Sequence, residues 1–587
     1  MTDVLLINGM EFLNSCNLSP YIGHYILENL LNRNNISARQ ISIDAERKSG
    51  RLILPDEPDG IFDAVADYIV SMNPRIVGFN TICNSFITAV QISMKIHAKA
   101  PEILIFFGGP HATLTAEACL RSLDFLTLVC LGESEYSIVP VVRAMLDNTS
   151  LDSVPGISYR KDGRIVSTPC CDLVPAEHLA DYTVFDYGED FRSLSLPYTI
   201  EGGRGCPFHC SFCSTSMFWK QAFRVKPVGV LIDEMDRCHA ELGTTVFAVE
   251  HDMFTANRKH ITDFCTRLIE RGTPYYWKCS SRVDVLDEEL IELLCRAGCV
   301  SIFLGIETGS ERMQKTINKN LNLTNAVQMA KCLKKHGIKV TASFIYGFPD
   351  ETEEDFIQTV HLMEELLLSG IENLQFHPFM LLPGTEETEK VKERAIFNER
   401  DVDFSIYNRR VINDESRDLI QKYKDIFIQY YSFESEVKKK YPWFEMIFAM
   451  SSFQWYFFKN TFVSLTKQPG LITLYRKYEQ IFKDFYYQFN DIDYADSIMQ
   501  ITRDCLAHVV SHENNEELSE IFRFENDIFE YADKGIQDSQ IKEYRLSIDK
   551  TNGECSYLPD SRKYMIKREG AAKIGVVPIP GWMSVEP

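Results

Sequence analysis

The sequence lacks an excess of positive charge. Of its 587 residues, 61 are Lys or Arg and 83 are Asp or Glu, which gives a formal net charge of -22. Proteins that bind nucleic acid normally present clustered Lys and Arg to the phosphate backbone. The composition therefore argues against a nucleic-acid partner.

The sequence also lacks long apolar runs and an export signal. The most membrane-like stretch, residues 446–462, is interrupted by polar residues such as Ser451, Gln454 and Lys459. It falls short of the roughly 20 apolar residues that a membrane-spanning helix needs. The first residues carry neither a charged region nor a cleavage site. We therefore expect a cytoplasmic protein with reduced thiols and no membrane partner.

Residues 1–150 alternate between short apolar runs and stretches of helical periodicity. The apolar runs are 4–7, 41–43, 76–79, 103–107 and 125–131. Strands that are apolar on both faces and alternate with helices predict a doubly wound parallel sheet of Rossmann-like or flavodoxin-like type. Such sheets bind ligands outside the carboxyl ends of their strands.

Polar residues and glycines follow three of these predicted strands. They are Asn80 and Thr81 after the third, Gly108, Gly109 and His111 after the fourth, and Gly132, Glu133 and Glu135 after the fifth. Because glycine lets a ligand approach the backbone closely, Gly108 and Gly109 suit a large flat ligand. His111 is expected to cap or line its loop rather than to bind a metal.

Residues 151–195 are predicted to be a linker that contains a hairpin. Alternating residues at 154–159 and 165–168 flank a turn with Asp162 and Gly163, a favoured hairpin sequence. Residues 391–587 form a predicted C-terminal substrate or cap domain that is mostly helical, with helices near 414–431, 443–461 and 472–489. A second hairpin is predicted there at 544–558, with Asn552 and Gly553 in its turn.

Three cysteines stand close together after residue 200. Cys206, Cys210 and Cys213 have C-x3-C-x2-C spacing, and thiolates suit iron–sulfur clusters, zinc or copper(I). A closed [4Fe–4S] cluster takes four cysteines, so three leave one iron open to a substrate or cofactor. From these residues alone, a zinc site or buried free thiols are the alternatives.

Residues 196–390 continue with a strand–helix rhythm. Six predicted strands end at 200, 249, 279, 304, 345 and 376, which predicts a partial (β/α)6 barrel with its active site at the carboxyl ends of the strands. Polar residues follow several of these strands: Glu250, Asp252, Arg282, Glu307 and, after the fifth, Gly347 with Glu351.

The cysteine spacing, with Phe212 directly before the third cysteine, resembles the radical S-adenosylmethionine (SAM) superfamily. The later series I-E-T-G-S-E and Y-G-F-P-D-E-T is similar to that of members with a cobalamin (B12)-binding domain. The earlier series G-F-x-T, G-G-P-H and G-E-x-E resembles that cobalamin domain. No D-x-H-x-x-G motif occurs in the first loop, which removes a histidine ligand of cobalt without excluding the cofactor. A flavodoxin-like domain that has lost its ligand is the alternative.

The resemblance implies a [4Fe–4S] cluster, S-adenosyl-L-methionine and cobalamin as cofactors. The implied cluster ligands are Cys206, Cys210 and Cys213. The implied SAM contacts are Phe212, Glu250, Asp252, Arg282, Glu307 and Gly347. The implied cobalamin contacts are Asn80, Thr81, Gly108, Gly109 and Glu133.

The resemblance further implies C-methylation of an unactivated carbon in a peptide or small-molecule natural product, with a reductant such as flavodoxin or ferredoxin. The same pair of domains also supports radical rearrangement, oxidation or cyclisation without methyl transfer. A non-catalytic iron–sulfur sensor is an alternative of another class, but it would not need the strand-end Arg282 and carboxylates. No residue of the sequence names the substrate or the group that activates it.

Overall fold

The structure is a computed structural model. It describes residues 2–9, 20–55, 57–184, 187–188, 197–371, 373–398, 413–467, 470–490, 496–533, 540–548, 555–568 and 574–578. The first loop of the sequence, residues 10–19, therefore lies outside the described residues.

The N-terminal region is built on a seven-stranded sheet with the order β2-β1-β3-β4-β5-β6-β7. Its strands are β1 (Val4–Asn8), β2 (Ala38–Ser42), β3 (Ile76–Asn80), β4 (Leu104–Gly108), β5 (Leu126–Cys130), β6 (Ile157–Lys161) and β7 (Arg164–Ser167). The first five strands are parallel. The predicted hairpin, β6 and β7, extends this sheet antiparallel to β5.

Helices cover both faces of this sheet, as the prediction of a doubly wound domain requires. Leu5 and Ile7 of β1 belong to one buried core, whereas Val4 and Leu6 belong to another, because successive strand residues point to opposite faces. The helices are α1 (Ile22–Arg33), α2 (Ile43–Lys48), α3 (Ile61–Ser71), α4 (Phe86–Lys99), α5 (Gly109–Leu114), α6 (Ala116–Ser122) and α7 (Ile138–Asp147).

A second sheet of six strands has the order β15-β14-β13-β12-β11-β8. Its strands are β8 (Tyr198–Glu201), β11 (Val246–Glu250), β12 (Tyr276–Ser281), β13 (Cys299–Glu307), β14 (Lys339–Tyr346) and β15 (Asn373–Pro378). The pairs from β8 to β14 are parallel. The predicted barrel is confirmed, and β9 (Gly203–Arg204) pairs with β10 (Arg224–Val225) beside it.

The barrel strands alternate with helices, as the strand–helix rhythm predicts. They are α8 (Ser214–Phe218), α9 (Val228–Leu242), α10 (Arg258–Arg271), α11 (Glu288–Arg296), α12 (Glu311–Thr316), α13 (Leu323–Lys335) and α14 (Glu353–Leu368). Asp287 caps α11 by accepting a hydrogen bond from the Leu290 backbone, and Leu290, Ile291 and Leu294 are its buried face.

After the barrel the chain returns to the N-terminal sheet. The elements are α15 (Glu386–Glu389), β16 (Ile396–Phe397), α16 (Asp414–Lys422), β17 (Tyr431–Ser432) and α17 (Glu436–Lys440). The helix predicted over 414–431 is wrong beyond Lys422. Its continuation instead packs on the N-terminal core, where the rings of Phe427 and Phe86 are 5.2 Å apart, so tertiary burial overrides local helical preference.

The chain divides into two compact units. The first holds residues 1–355 and 377–439, and the second holds 356–376 and 440–587. The second unit contains most of α14 with α18 (Glu445–Lys467), α19 (Leu471–Asn490), α20 (Asp496–His512) and α21 (Glu516–Asp533). None of the helices in the described part of the chain is long and apolar enough to span a membrane.

The second unit also holds a three-stranded antiparallel sheet. Its strands are β18 (Gln540–Ile548), β19 (Cys555–Arg568) and β20 (Ile574–Pro578). β18 and β19 form the second predicted hairpin, since Ile548 pairs with Cys555; its predicted turn residues lie outside the described residues. The proline-rich β20 lies at the edge of the sheet, where a missing N–H is tolerated.

Candidate active site

A cavity of about 500 Å³ lies where the carboxyl ends of the two parallel sheets of the first unit face each other. The N-terminal sheet contributes strand-end residues such as Asn80, Gly108 and Glu133. The barrel contributes Glu201, Glu250, Asp252 and Ser280. The two sets of strand ends, which belong to different sheets, thus line one space.

The glycines after β4 shape one wall of this cavity. Gly109 has φ +88, and Thr81 lies against its backbone, with the Thr81 hydroxyl donating to the Gly108 carbonyl at 2.7 Å. Thr81 is fully buried and does not line the cavity, whereas Asn80, Gly108 and Gly109 do. Thr81 therefore supports the wall from behind.

We expect Gly109→Ala to damage this wall and Gly108→Ala to leave the fold intact. A Cβ on Gly109 would lie 2.8 Å from the Thr81 carbonyl oxygen and closer still to the Asn80 side chain, at a φ that alanine rarely adopts. The strained φ alone costs about 1–3 kcal/mol. A Cβ on Gly108 meets only Cys130, at an ordinary 3.7 Å. Thermal denaturation of both variants checks this, and equal melting temperatures would contradict it.

Glu133 joins the two domains in a buried network of charges. Its carboxylate accepts hydrogen bonds from Arg204 at 2.8 Å, from Arg224 at 2.9 Å and from the Val174 backbone at 2.7 Å. Arg204 also pairs with Glu135 at 2.6 Å and with Glu201 at 2.7 Å. Burial alone would raise the pKa of Glu133, but the hydrogen bond from Arg224 and the charge of Arg204 lower the pKa overall.

His24, in α1, is a cavity residue that the sequence motifs did not indicate. It lines the cavity and is buried, and nothing among the described residues hydrogen-bonds to its Nδ1. Burial lowers the pKa of His24 to about 3, so the ring is neutral at physiological pH. A buried neutral imidazole with an unused nitrogen can pair with water or with a bound molecule.

His111, by contrast, has both ring nitrogens next to partners in other segments of the chain. Its Nε2 donates to the Ile426 carbonyl at 2.8 Å, and its Nδ1 lies 3.4 Å from the Cys83 sulfur. The ring also packs against Phe86 at 4.1 Å. The expectation that His111 lines the loop is confirmed.

The barrel side of the cavity is acidic. Glu201, Glu250 and Asp252 all line it, with Ser280 on the adjoining strand. Asp252 is exposed towards the open cavity. Partial desolvation by its neighbours raises its pKa, and the charge of Glu250 raises it further, although hydrogen bonds from the Gly205 backbone and the Trp219 indole act in the opposite direction. Several carboxylates at one edge suit an ammonium group and a ribose diol.

The three cysteines of the motif follow β9 on one loop and are all free thiols. The Cys213 backbone donates to the Cys210 carbonyl at 3.2 Å. Burial raises the pKa of the Cys206 thiol to about 11, and the nearby Cys213 and Asp252 act in the same direction. No three His, Cys, Asp or Glu side chains of the described residues converge as they would around a single ion. The cysteines that bind a [4Fe–4S] cluster surround a larger group than a single ion, so they need not converge so closely.

Distant segments hold this loop in place. The Ser211 backbone donates to the Ile317 carbonyl at 3.0 Å, and the Asn318 side chain donates to the His209 carbonyl at 2.6 Å. The Ser211 hydroxyl donates to Glu387 at 2.7 Å. No motif of the sequence indicates residues 317–319 or Glu387.

Arg282 and Glu307 lie near the cysteines with partners of their own. Arg282 pairs through Nε and Nη2 with Asp284, at 3.0 and 2.8 Å, and its Nη1 lies 3.9 Å from the Cys210 sulfur. The Glu307 carboxylate accepts from the buried Lys319 ammonium at 2.9 Å. Neither residue lines the cavity, so SAM contact by either residue remains a prediction.

Phe212 and Gly347 also lie outside the lining of the cavity. Phe212 packs edge-on against Phe348, with ring centroids 5.7 Å apart. Gly347 has φ +78, its N–H donates to the Glu351 carboxylate, and a Cβ on it would lie 3.2 Å from Lys438. Their predicted contacts with SAM remain predictions as well.

These residues fit the predicted cofactors in their chemistry. Three free thiols on one ordered loop are the donor set of an open [4Fe–4S] cluster. The cavity has glycine at its sheet wall, open space beyond the Cα atoms of Gly23 and Gly132, and the unused His24 nitrogen. A large flat molecule with hydrogen-bonding side groups would complete it.

Comparison with known proteins agrees with this geometry. Residues 200–363 match the model of the radical SAM superfamily. The chain is 28% identical over 345 residues to an uncharacterized methyltransferase of Pyrococcus horikoshii, covering 58% of this chain and 73% of that protein. It is 27% identical over 319 residues to an anaerobic magnesium-protoporphyrin IX monomethyl ester cyclase of Rubrivivax gelatinosus, covering 52% of this chain and 56% of that protein.

A solved structure shares the fold over most of the chain. The cobalamin-dependent SAM radical enzyme OxsB, with aqua-cobalamin bound, superposes with a TM-score of 0.55 at 16% identity, covering 91% of this chain and 81% of OxsB. Residues 200–363 are therefore a radical SAM domain, and the chain shares the fold of the cobalamin-dependent SAM radical enzyme OxsB.

Proposed function

We propose that the protein is a cobalamin-dependent radical SAM methyltransferase. The observation that carries the proposal is the single cavity lined by the strand ends of both parallel sheets and adjoining the cysteine loop. When bound, the cluster and SAM supply a hydrogen-abstracting radical, and cobalamin supplies a transferable methyl group.

In this proposal the residues of the chain bind and orient these groups. Cys206, Cys210 and Cys213 hold the cluster, while Glu250 and Asp252 accept hydrogen bonds from the SAM ammonium or ribose. Arg282 approaches Cys210 through Nη1 and has this guanidinium edge available to the SAM carboxylate. Phe212, Glu307 and Gly347 complete the SAM surroundings.

Asn80, Gly108 and Gly109 form the surface on which the corrin rests, and Thr81 and Glu133 fix that surface. His24 hydrogen-bonds to a polar group of the same cofactor. The substrate is a peptide or a small molecule, and a small redox protein such as flavodoxin or ferredoxin supplies the electron.

Anaerobic reconstitution with iron and sulfide, followed by dithionite and SAM, tests the radical chemistry. We expect about four irons per chain and formation of 5′-deoxyadenosine. Cys206→Ala, Cys210→Ala and Cys213→Ala should abolish both, because each removes one ligand of an already open cluster. Cys170→Ala is the matched control, since this exposed cysteine belongs to no cluster motif. Wild-type protein that forms no 5′-deoxyadenosine contradicts the proposal.

Methyl transfer is separable from other radical reactions without knowledge of the substrate. A methyltransferase loaded with hydroxocobalamin and reductant should convert SAM to S-adenosylhomocysteine in an amount equal to the bound corrin. A second candidate function is a non-methylating oxidation or cyclisation, and the similarity to a cyclase is the observation that supports it. That candidate predicts formation of 5′-deoxyadenosine without S-adenosylhomocysteine. The cobalamin assignment is tested separately: loss of the corrin from the protein on gel filtration would contradict it.

A further inference from the structure

The barrel sheet has two faces of different character. On β12, Trp277 is buried, packs on Phe264 of α10 with ring centroids 5.3 Å apart, and donates to the Ala297 carbonyl. It therefore faces the helices. Tyr276, Lys278 and Ser280 alternate with it and face the interior of the barrel.

The interior face is accessible and carries large apolar side chains. Tyr276 is 54% exposed and Phe303 is 37% exposed, although barrel interiors are normally filled by packed side chains. Apolar side chains left open inside a barrel offer apolar surface to a ligand, and we call the space above Tyr276 and Phe303 the groove. Water should leave these two rings when a molecule with apolar surface enters.

This groove leads directly to the cavity described above. Phe303 is the register neighbour of Ser280 across the β12–β13 pair, and Ser280 lines the cavity. Lys278 lies one interior position below Ser280, between Ala248 of β11 and Ser301 of β13. A molecule in the groove would thus extend from Tyr276 at the amino end of the strands up to the carboxyl ends.

Lys278 gives the groove a charge. Its side chain is exposed, and it forms no ion pair with any acid of the described residues, in a chain whose net charge is -22. Its two register neighbours, Ala248 and Ser301, carry no charge. An ammonium without a counter-ion between two aromatic rings is complementary to an anion attached to an apolar body.

We infer that this groove, formed by Tyr276, Lys278 and Phe303, binds the substrate, and that the substrate combines an apolar planar group with an anionic group. The planar group stacks on Phe303, and the anion, a carboxylate or a phosphate, pairs with Lys278. The remainder of the molecule reaches past Ser280 into the cavity, where the reaction takes place. The identification of this ligand as the substrate rests on the proposed function; the binding chemistry rests on the groove alone.

Binding of an aromatic anion to the full-length reconstituted protein tests this inference. The probe is para-trifluoromethyl-phenylacetate, followed by fluorine NMR, with the neutral para-trifluoromethyl-phenylacetamide as its uncharged counterpart. Lys278→Met should weaken binding of the anion about tenfold, as expected for one charge-assisted hydrogen bond in a partly exposed site, and should leave binding of the amide unchanged. Phe303→Ser should weaken binding of both probes.

Two further variants separate the role of Lys278 from general effects of charge. Lys259→Met is the matched control, because this exposed lysine lies in α10, which packs on the outer face of the barrel sheet. It should bind both probes as the wild type does. Lys278→Arg keeps the charge and should retain most of the affinity for the anion.

Equal affinity of the wild type and Lys278→Met for the anion would overturn the inference. A wild type that binds neither probe would also overturn it, and this result is expected if a segment of the chain itself fills the groove. The result is independent of radical chemistry. A protein that binds the anion through Lys278 but forms no 5′-deoxyadenosine would refute the proposed function and leave the groove assigned. Turnover of SAM without binding of the anion would do the reverse.

Discussion

Glu133→Gln should lower the free energy of unfolding of the first unit by about 3–5 kcal/mol, the cost of removing one partner from a buried ion pair. Glu133 uses both carboxylate oxygens to pair with Arg204 and Arg224, all three side chains being buried. The neutral amide would deprive the buried Arg224 of its carboxylate partner, whereas Arg204 would keep Glu135 and Glu201. Denaturation by guanidinium, followed by circular dichroism, measures the change.

Glu117→Gln is the matched control for this experiment. Glu117 pairs with Arg121 one helical turn away, and both side chains are mostly exposed. Exposed pairs contribute less than about 1 kcal/mol, so the control should unfold almost as the wild type does. Equal stabilities of the two variants would mean that the Glu133 network does not connect the domains energetically.

The same network predicts how stability changes with pH. Because the folded-state pKa of Glu133 is lowered, its contribution is fully present above the pKa of the unfolded chain. The contribution is lost as pH falls through the lowered folded-state value. The stability difference between wild type and Glu133→Gln should therefore be constant near neutrality and shrink in acid.

Lys319→Met should destabilise the protein by a similar amount, about 3–5 kcal/mol, because it leaves the Glu307 carboxylate buried without its counter-ion. The two groups are 2.9 Å apart and both are about nine-tenths buried. The variant should also hold less iron after reconstitution, since Ile317 and Asn318 fix the cysteine loop through two hydrogen bonds, and the Lys319 carbonyl accepts a hydrogen bond from Arg282, which lies beside Cys210. Unfolding curves and iron analysis measure these two effects.

The double variant Glu307→Gln with Lys319→Met separates the charge effect from packing. Replacing both members of a buried pair is often close to neutral, so the double variant should recover most of the lost stability. A double variant as unstable as Lys319→Met would show that packing of the lysine stem, not its charge, matters at this position.

The strand ends of the cavity were predictable from the sequence. Gly108, Gly109, Glu250 and Asp252 each follow a short apolar strand, and parallel strands place their carboxyl ends on one edge. The two residue sets therefore had to meet if the two sheets faced each other. His24 lies in the middle of a helix, with no motif around it, so only its burial and unused nitrogen reveal it.

The side-chain pairings near the cysteines were not predictable in the same way. Arg282 is engaged by Asp284, and Glu307 by Lys319, because loops from different strands converge there. Similarly, the helix predicted past Lys422 ends early because its following residues gain more by burial against Phe86 than by continuing the helix. Local periodicity carries no information on such contacts between distant segments.

The return of residues 413–433 to the N-terminal sheet has a consequence for synthesis. His111 is hydrogen-bonded to a carbonyl that lies 315 residues later in the chain, and Phe86 packs on Phe427. At roughly 5–20 residues per second on the ribosome, the first domain waits tens of seconds for the last part of its core. During that time the ribosome synthesises the barrel with its three motif cysteines. The first domain to be synthesised is therefore among the last to finish folding. This order favours cofactor loading after release from the ribosome.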